Sequence, residues 1–401
     1  MKFTHNSTLT LHPIQIREDK KNYIVEDTVT GEFFEMPDIC IYAIEMLENG
    51  ATFLEIETEL KAVYPHEDIN MIDFAEQLLE MELIQEIDGQ PFNFEKSIPE
   101  QQGFLWISER FSKNFFNRFS LFGYIILFIL NIVILFINPS FFPHFKDLFV
   151  FDTMLINMLL YMALSLLLLF VHEMGHVIAL RAVGMPTKIE IGHRLFLVVF
   201  ETDMSSVWRL PAKERNVLYL AGLCFDNLVL FLALGSMLLF PNLPVVMTGI
   251  LGVIVFDVMI RVVYQCCFYL KTDLYYVFEN SSGCYNLLEN AQVYFIGLFF
   301  PKQAKSSNEM FQGEKATVIA YGAFYLIGMA ITLSLLVFYI IPQLVYVISE
   351  TRHCIAHPIT TMHFWDGLLT ILQLALGIGL LLYSWIKKYK LLFKRKLPQR
   401  S

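Results

Sequence analysis

Residues 166–184 read LLLLFVHEMGHVIALRAVG, an apolar run interrupted near its end by two histidines and a glutamate. The apolar character begins at Met154 and closes at Arg181. A bilayer core of roughly 30 Å is crossed by about 20 apolar residues in helical conformation, so the stretch reads as a membrane span. Positions four apart on a helix share one face, one turn from each other, which sets His172 and His176 side by side and lets both imidazoles reach one metal ion. Glu173 follows the first of them, where a carboxylate can take a proton from water and later pass it to a leaving amine. Placing His and Glu inside a span costs on the order of several kcal/mol unless they face the protein interior and find partners. That location argues against a solvated surface cluster.

Outward from this stretch, the 401-residue chain is 55% hydrophobic with a mean hydropathy of +0.51, too apolar for an ordinary soluble protein. The apolar residues concentrate in six runs: Phe119 to Ile137, Met154 to Leu180, Val217 to Phe240, Val245 to Tyr269, Ala316 to Ile340 and Gly367 to Ile386. Basic residues mark the cytoplasmic loops of such proteins. Arg181, Lys188, Arg194, Arg209, Lys213 and Arg215 fall between the second and third runs, and Lys271, Lys302, Lys305 and Lys315 between the fourth and fifth. The other loops carry few: Lys146 before the second run and Arg352 before the last. Six spans with both termini in the cytoplasm, in a cell membrane, satisfy this alternation. The six cysteines form no CxxC pair and read as buried thiols.

Tetrahedral catalytic zinc takes three protein ligands and leaves one position open. His172 and His176 supply two, and the third must come from a group at the same depth, near the end marked by Arg181. Asp273, just past the fourth run, lies at that level. Asp257 sits nearer mid-span with Arg261 one turn away, which suggests an intramembrane ion pair. Asp226, on the third run, is placed to partner a metal-bound histidine.

From about residue 160 to 295 the sequence resembles the site-2 proteases, in their bacterial peptide zinc metalloprotease branch. The resemblance is carried by HEMGH, by TDMSSVWRLPAKERNVLYLAGLCFD and by LKTDLYYVFENSSGCYNLLENA. It implies a multi-pass helical membrane enzyme with bound Zn2+, Glu173 as the catalytic residue, and Asp273 as the carboxylate that completes the metal site. Two departures are visible: Leu274 stands where that family often has Gly, and no Asn-Pro precedes Asp273. Asp226 occupies the place of a commoner Asn or Glu, and Gly222 permits close helix packing. Between the second and third runs, KIEIGHRLFLVVFETD alternates as a β-hairpin does, and such a strand can either pair with an extended substrate or simply cover the site. Its His193 and Asp203 are given no catalytic role.

Residues 1–103 form an acidic head with 22 acidic and six basic side chains. No apolar signal segment opens it, and it is expected in the cytoplasm. NYIVED and GEFFEMP read as strands around a turn. PDICIYAIEMLENG, ATFLEIETELKAVY and INMIDFAEQLLEMEL read as helices, and LIQEIDGQP as a closing wing, together an α/β winged-helix-like domain. A surplus of 16 negative charges excludes nucleic acid as partner, because phosphates would be repelled. The pattern resembles the recognition element of ribosomally made, post-translationally modified peptide pathways, the fold of the peptide chaperone of pyrroloquinoline quinone biosynthesis. That resemblance implies a leader peptide added as a strand at residues 32–36 and packed against the helix near Asn70 to Met81. Residues 104–118, with Trp106, Phe111, Phe115 and Phe116, read as an interfacial linker helix, and 119–401 as the membrane metalloprotease domain.

The expected activity is cleavage of a precursor peptide during maturation, its leader held by the head, with membrane lipid around the spans and a peptide-modifying enzyme or exporter as further partner. Two alternatives stand beside it: regulated intramembrane proteolysis of a signalling protein, and a non-catalytic, metal-dependent export or immunity component. His353, Cys354, His357 and His363, before the last run, form a second group of metal-binding residue types.

Overall fold

The computed structural model describes residues 3–92, 103–194, 197–299 and 314–396; Pro99, Lys302 and Lys305 lie outside them. The chain divides into two compact units.

The first comprises Met1–Gln102 with Ser205–Arg215. Strands β2 (Ile14–Asp19), β3 (Asn22–Asp27) and β4 (Phe33–Met36) form an antiparallel sheet in the order β2-β3-β4, so β4 lies at an edge. A second sheet has β1 (Leu9–Leu11), β5 (Ile84–Ile87) and β6 (Gln90–Pro91) in the order β1-β5-β6. Asp88 and Gly89, both at positive φ, turn β5 back into β6, the conformation that a two-residue Asp-Gly hairpin favours. Helices α1 (Asp38–Glu48), α2 (Phe53–Val63) and α3 (Met71–Glu80) lie between β4 and β5 in sequence. A capping box of Thr52 and Glu55 starts α2, and Asn70 caps α3 by accepting from the amides of Ile72 and Asp73. Val25, Ile44, Phe53, Ile56, Ala75, Leu78, Leu83 and Ile84 are wholly buried in one core shared by the helices and the sheets.

Ser205–Arg215 belongs to this unit although it follows Gly103–Met204 of the second unit in sequence. Its arginines meet the acidic strands: Arg215 Nη1 lies 2.8 Å from Asp19 Oδ2 with both side chains buried, and Arg209 Nη2 lies 2.7 Å from Glu26 Oε1. In return Arg17 donates to the carbonyls of Trp208 and Arg209. Charge-assisted bonds of this kind offset the desolvation of the buried Arg215–Asp19 pair.

The second unit is built on helices. It contains α4 (Glu109–Ser112), α5 (Arg118–Ile137), α6 (Met154–Ala182), the hairpin β7 (Ile189–Arg194) with β8 (Leu197–Thr202), α7 (Ala212–Tyr219, whose first turn lies in the first unit), α8 (Ala221–Leu239), α9 (Val245–Gln265), α10 (Asp273–Ser282), α11 (Leu287–Phe299), α12 (Lys315–Leu335), α13 (Ile341–Ile355) and α14 (Met362–Lys396). Among the described residues six stretches are long and apolar enough to cross a membrane: Arg118–Ile137, Leu155–Ala182, Ala212–Leu239, Val245–Gln265, Lys315–Phe338 and Met362–Tyr383. Phe119, Phe136 and Val245 are more than four-fifths exposed, as suits helices surrounded by lipid. Inward, Leu135, Leu168, Leu230, Leu234, Val255 and Val258 join α5, α6, α8 and α9 in one core. Asn131 of α5 donates to Asn227 of α8 at 2.8 Å, and Asn227 donates to the Tyr124 carbonyl, a polar tie inside an otherwise apolar bundle.

Two elements differ from the sequence expectation. Over residues 104–118 only the four residues of α4 and Arg118, which opens α5, are α-helical, because Asn117 caps a new helix by accepting from Phe119 and Ser120 amides and so separates α5 from what precedes it. The region expected as a loop after the fifth span is largely helix: α12 runs through a π-helical turn, Leu336–Ile340, into α13. Pro342, without an N–H and with a ring that crowds the preceding turn, accounts for the widened turn. His353 and Cys354 therefore sit on α13. His357 and His363 bring their ring centroids to 5.3 Å, but no three of these four residues converge as metal ligands do.

Candidate metal centre

Three elements meet at HEMGH. Helix α6 carries His172, Glu173 and His176; α8 passes closely beside it; and Asp273 opens α10 after a short turn that follows α9. The close approach is set by small residues. A Cβ on Gly175 would stand 2.6 Å from the Ala221 carbonyl oxygen, and one on Gly222 would stand 2.5 Å from His172 Nε2 and 2.6 Å from His176 Nε2. Gly222 thus gives up its side-chain volume to the two imidazole edges. We expect Gly222→Ala to displace both rings and lower metal affinity by about tenfold or more, comparable to losing an outer support of the ligands, with the change read by competition against a chromophoric chelator.

His172, His176 and Asp273 each present one ligand atom, and these atoms lie within 4.8 Å of one another, a group that could hold a metal ion. Asp273 Oδ2 is 3.0 Å from His172 Nε2 and 3.3 Å from His176 Nε2. The other ring nitrogens are engaged on the far side. His172 Nδ1 stands 2.7 Å from Asp226 Oδ2, and His176 Nδ1 stands 3.0 Å from the Leu218 carbonyl. A carbonyl accepts only, so His176 Nδ1 carries the proton, and an Asp226 oxygen accepting from Nδ1 favours the same tautomer of His172. Both Nε2 lone pairs then face a carboxylate oxygen. Three acceptors pointing at one another, two on buried imidazoles and one on a half-buried carboxylate, repel unless a cation lies among them, and this donor set fits a divalent ion with a position left open.

Asp273 is itself held from behind. Gln265, at the end of α9, donates from Nε2 to Asp273 Oδ2 at 2.8 Å and accepts the Asp273 amide at 2.9 Å. The buried Asp226 turns its second oxygen toward Arg261, 3.8 Å away, and Arg261 pairs with Asp257 one helical turn back. Asp257 is therefore part of an ion pair and stands apart from the ligand group.

Glu173 is buried beside the ligands, with its Oε2 2.7 Å from the hydroxyl of Thr202 at the end of β8. The hairpin is in register from Ile189↔Thr202 to Arg194↔Leu197, and its open end is closed by Thr187 donating to the Asp203 carbonyl. Gln265 and Thr202 were not legible as site residues in the sequence. For Gln265 a signal exists, a buried amide at the end of an apolar span that must find a partner. For Thr202 there is none, since Thr is ordinary in a strand.

No family model, curated protein or solved structure matches the chain.

Proposed function

We propose that the chain is an integral membrane zinc metalloprotease of the site-2 protease type, acting on a ribosomally made precursor peptide. The observation that carries the reading is the convergence of His172, His176 and Asp273 with their acceptor atoms turned inward, beside a glutamate in the order His-Glu-x-x-His. Two imidazoles and a carboxylate suit zinc, which when bound would polarise a scissile carbonyl and bring the pKa of water toward neutrality. In this scheme Glu173 takes the proton from the attacking water on the oxygen that Thr202 leaves free, then returns it to the leaving amine nitrogen. Asp226 and the Leu218 carbonyl hold the two rings in the tautomer that directs Nε2 inward.

The substrate class rests on the head and the hairpin. The β4 edge in the first unit and the two-stranded hairpin in the second each offer backbone to which an extended peptide can add as a strand. A surplus of 16 acidic side chains over residues 1–103 favours a leader rich in Lys and Arg, and tethering the leader raises the effective concentration of the cleavage segment. The winged-helix-like reading of the head, the placement of both termini in the cytoplasm and the lodging of the spans in the cell membrane belong to this proposal.

The test is zinc content together with substrate identity. Purified protein is expected to carry zinc, and peptides extracted from cells are expected to include a short basic-leader precursor that is cut only when the chain is present. A transmembrane anchor as the cut species would favour regulated proteolysis. Zinc without any cut species would favour the export or immunity role. Metal-free protein would end the reading.

A further inference from the structure

The hydroxyl of Thr202 has one proton and two acceptors on the same residue of α6: Glu173 Oε2 at 2.7 Å and the Glu173 carbonyl at 3.3 Å. A carboxylate is the stronger acceptor and lies at the shorter distance, so the proton goes to Oε2. Both residues are buried, with Glu173 at 6% and Thr202 at 7% exposure, and among the described residues Thr202 is the donor found on this carboxylate. Glu173 has three side-chain torsions, each with more than one staggered well. Thr202 has one, restricted by branching at Cβ, on a strand whose pairing with Ile189 fixes the backbone. The stiff partner therefore sets the flexible one.

We propose that Thr202 is a positioning residue for Glu173, clamping one carboxylate oxygen to the end of β8 so that the other faces the metal centre. The proposal rests on the reading of Glu173 as proton carrier at that centre. It follows that the orientation of the base depends on the hairpin: a shift of β8 moves the donor, and with it the carboxylate.

The test uses the full chain, purified in detergent and loaded with cobalt(II), whose visible d–d band responds to the groups around the ion. Glu173→Gln sets the size of the change when the carboxylate is altered directly. At equal cobalt binding, Thr202→Val, which keeps the shape and removes the hydroxyl, is expected to shift the band by a comparable amount, and Thr202→Ser to restore the wild-type spectrum. If the valine variant does not fold, Thr202→Ala carries the same expectation. A hydroxyl-less variant superimposing on wild type where Glu173→Gln differs overturns the positioning role and leaves the role of Glu173 standing. A serine variant displaced as far as the valine one assigns Thr202 to packing and overturns it equally. Identical spectra for wild type and Glu173→Gln, or no cobalt bound by wild type, overturn both readings.

Discussion

Glu173→Gln is expected to abolish measurable peptide cleavage while leaving the metal in place. Glutamine keeps the volume and one oxygen but cannot accept and release a proton near neutral pH, and a positioned acid–base group contributes about 10²–10⁴-fold to such reactions. The amide oxygen can still accept from the Thr202 hydroxyl, so the 2.7 Å contact survives and the fold around α6 is undisturbed. Glu173 is also outside the group of three that converges as a ligand set, so zinc content should match the wild type. Rates on the precursor peptide, set beside metal analysis of the same preparations, check the expectation. Retained turnover in the variant, or loss of metal along with activity, would remove Glu173 from the role.

Asp273→Asn should have the largest effect on metal affinity. The carboxylate is the one anionic member of the group, and its replacement leaves a neutral amide facing two imidazole lone pairs. Affinity is expected to fall by more than about 100-fold, beyond the ~10–100-fold typical of partners that only orient a ligand. Asp226→Asn belongs to that smaller class, because Asp226 meets the far side of His172. Asp257→Asn should retain metal, since its carboxylate is committed to Arg261. Equilibrium competition for zinc across the three variants orders them. An Asp257 variant that loses metal while the Asp273 variant keeps it would invert the assignment of the third ligand.

The gap between these aspartates illustrates how far one-dimensional reasoning reaches. Depth along a span can be estimated by counting residues from its end, and by that count Asp273 already stood nearer to His176 than Asp257 did. Counting does not say which face of α9 Asp257 occupies or what meets it. Arg261 one turn away made an ion pair reasonable, and the packed helices place Asp257 against it. Gln265 is a polar residue at a helix end, where such a residue has many uses, and only the turn of chain from Cys266 to Thr272 brings its amide onto the Asp273 carboxylate. The fifth apolar run ends at Ile340 by composition, but the helix does not end there, because one π-helical turn absorbs the ring of Pro342 and the chain continues as α13.

What the amino-acid order determined by itself is local: the apolar runs, the i, i+4 pairing of His172 and His176 on one helical face, the hairpin over 189–202, and the caps and turns of the acidic head, all of them set by periodicities of a few residues. What only the tertiary structure decided is the company these groups keep. Asp273 is 97 residues from His176 along the chain, Thr202 is 29 from Glu173, and Asp226 is 54 from His172. The last of these contacts depends on how closely α6 and α8 approach at Gly175 and Gly222, a matter of volume excluded between helices that no repeat in the sequence encodes.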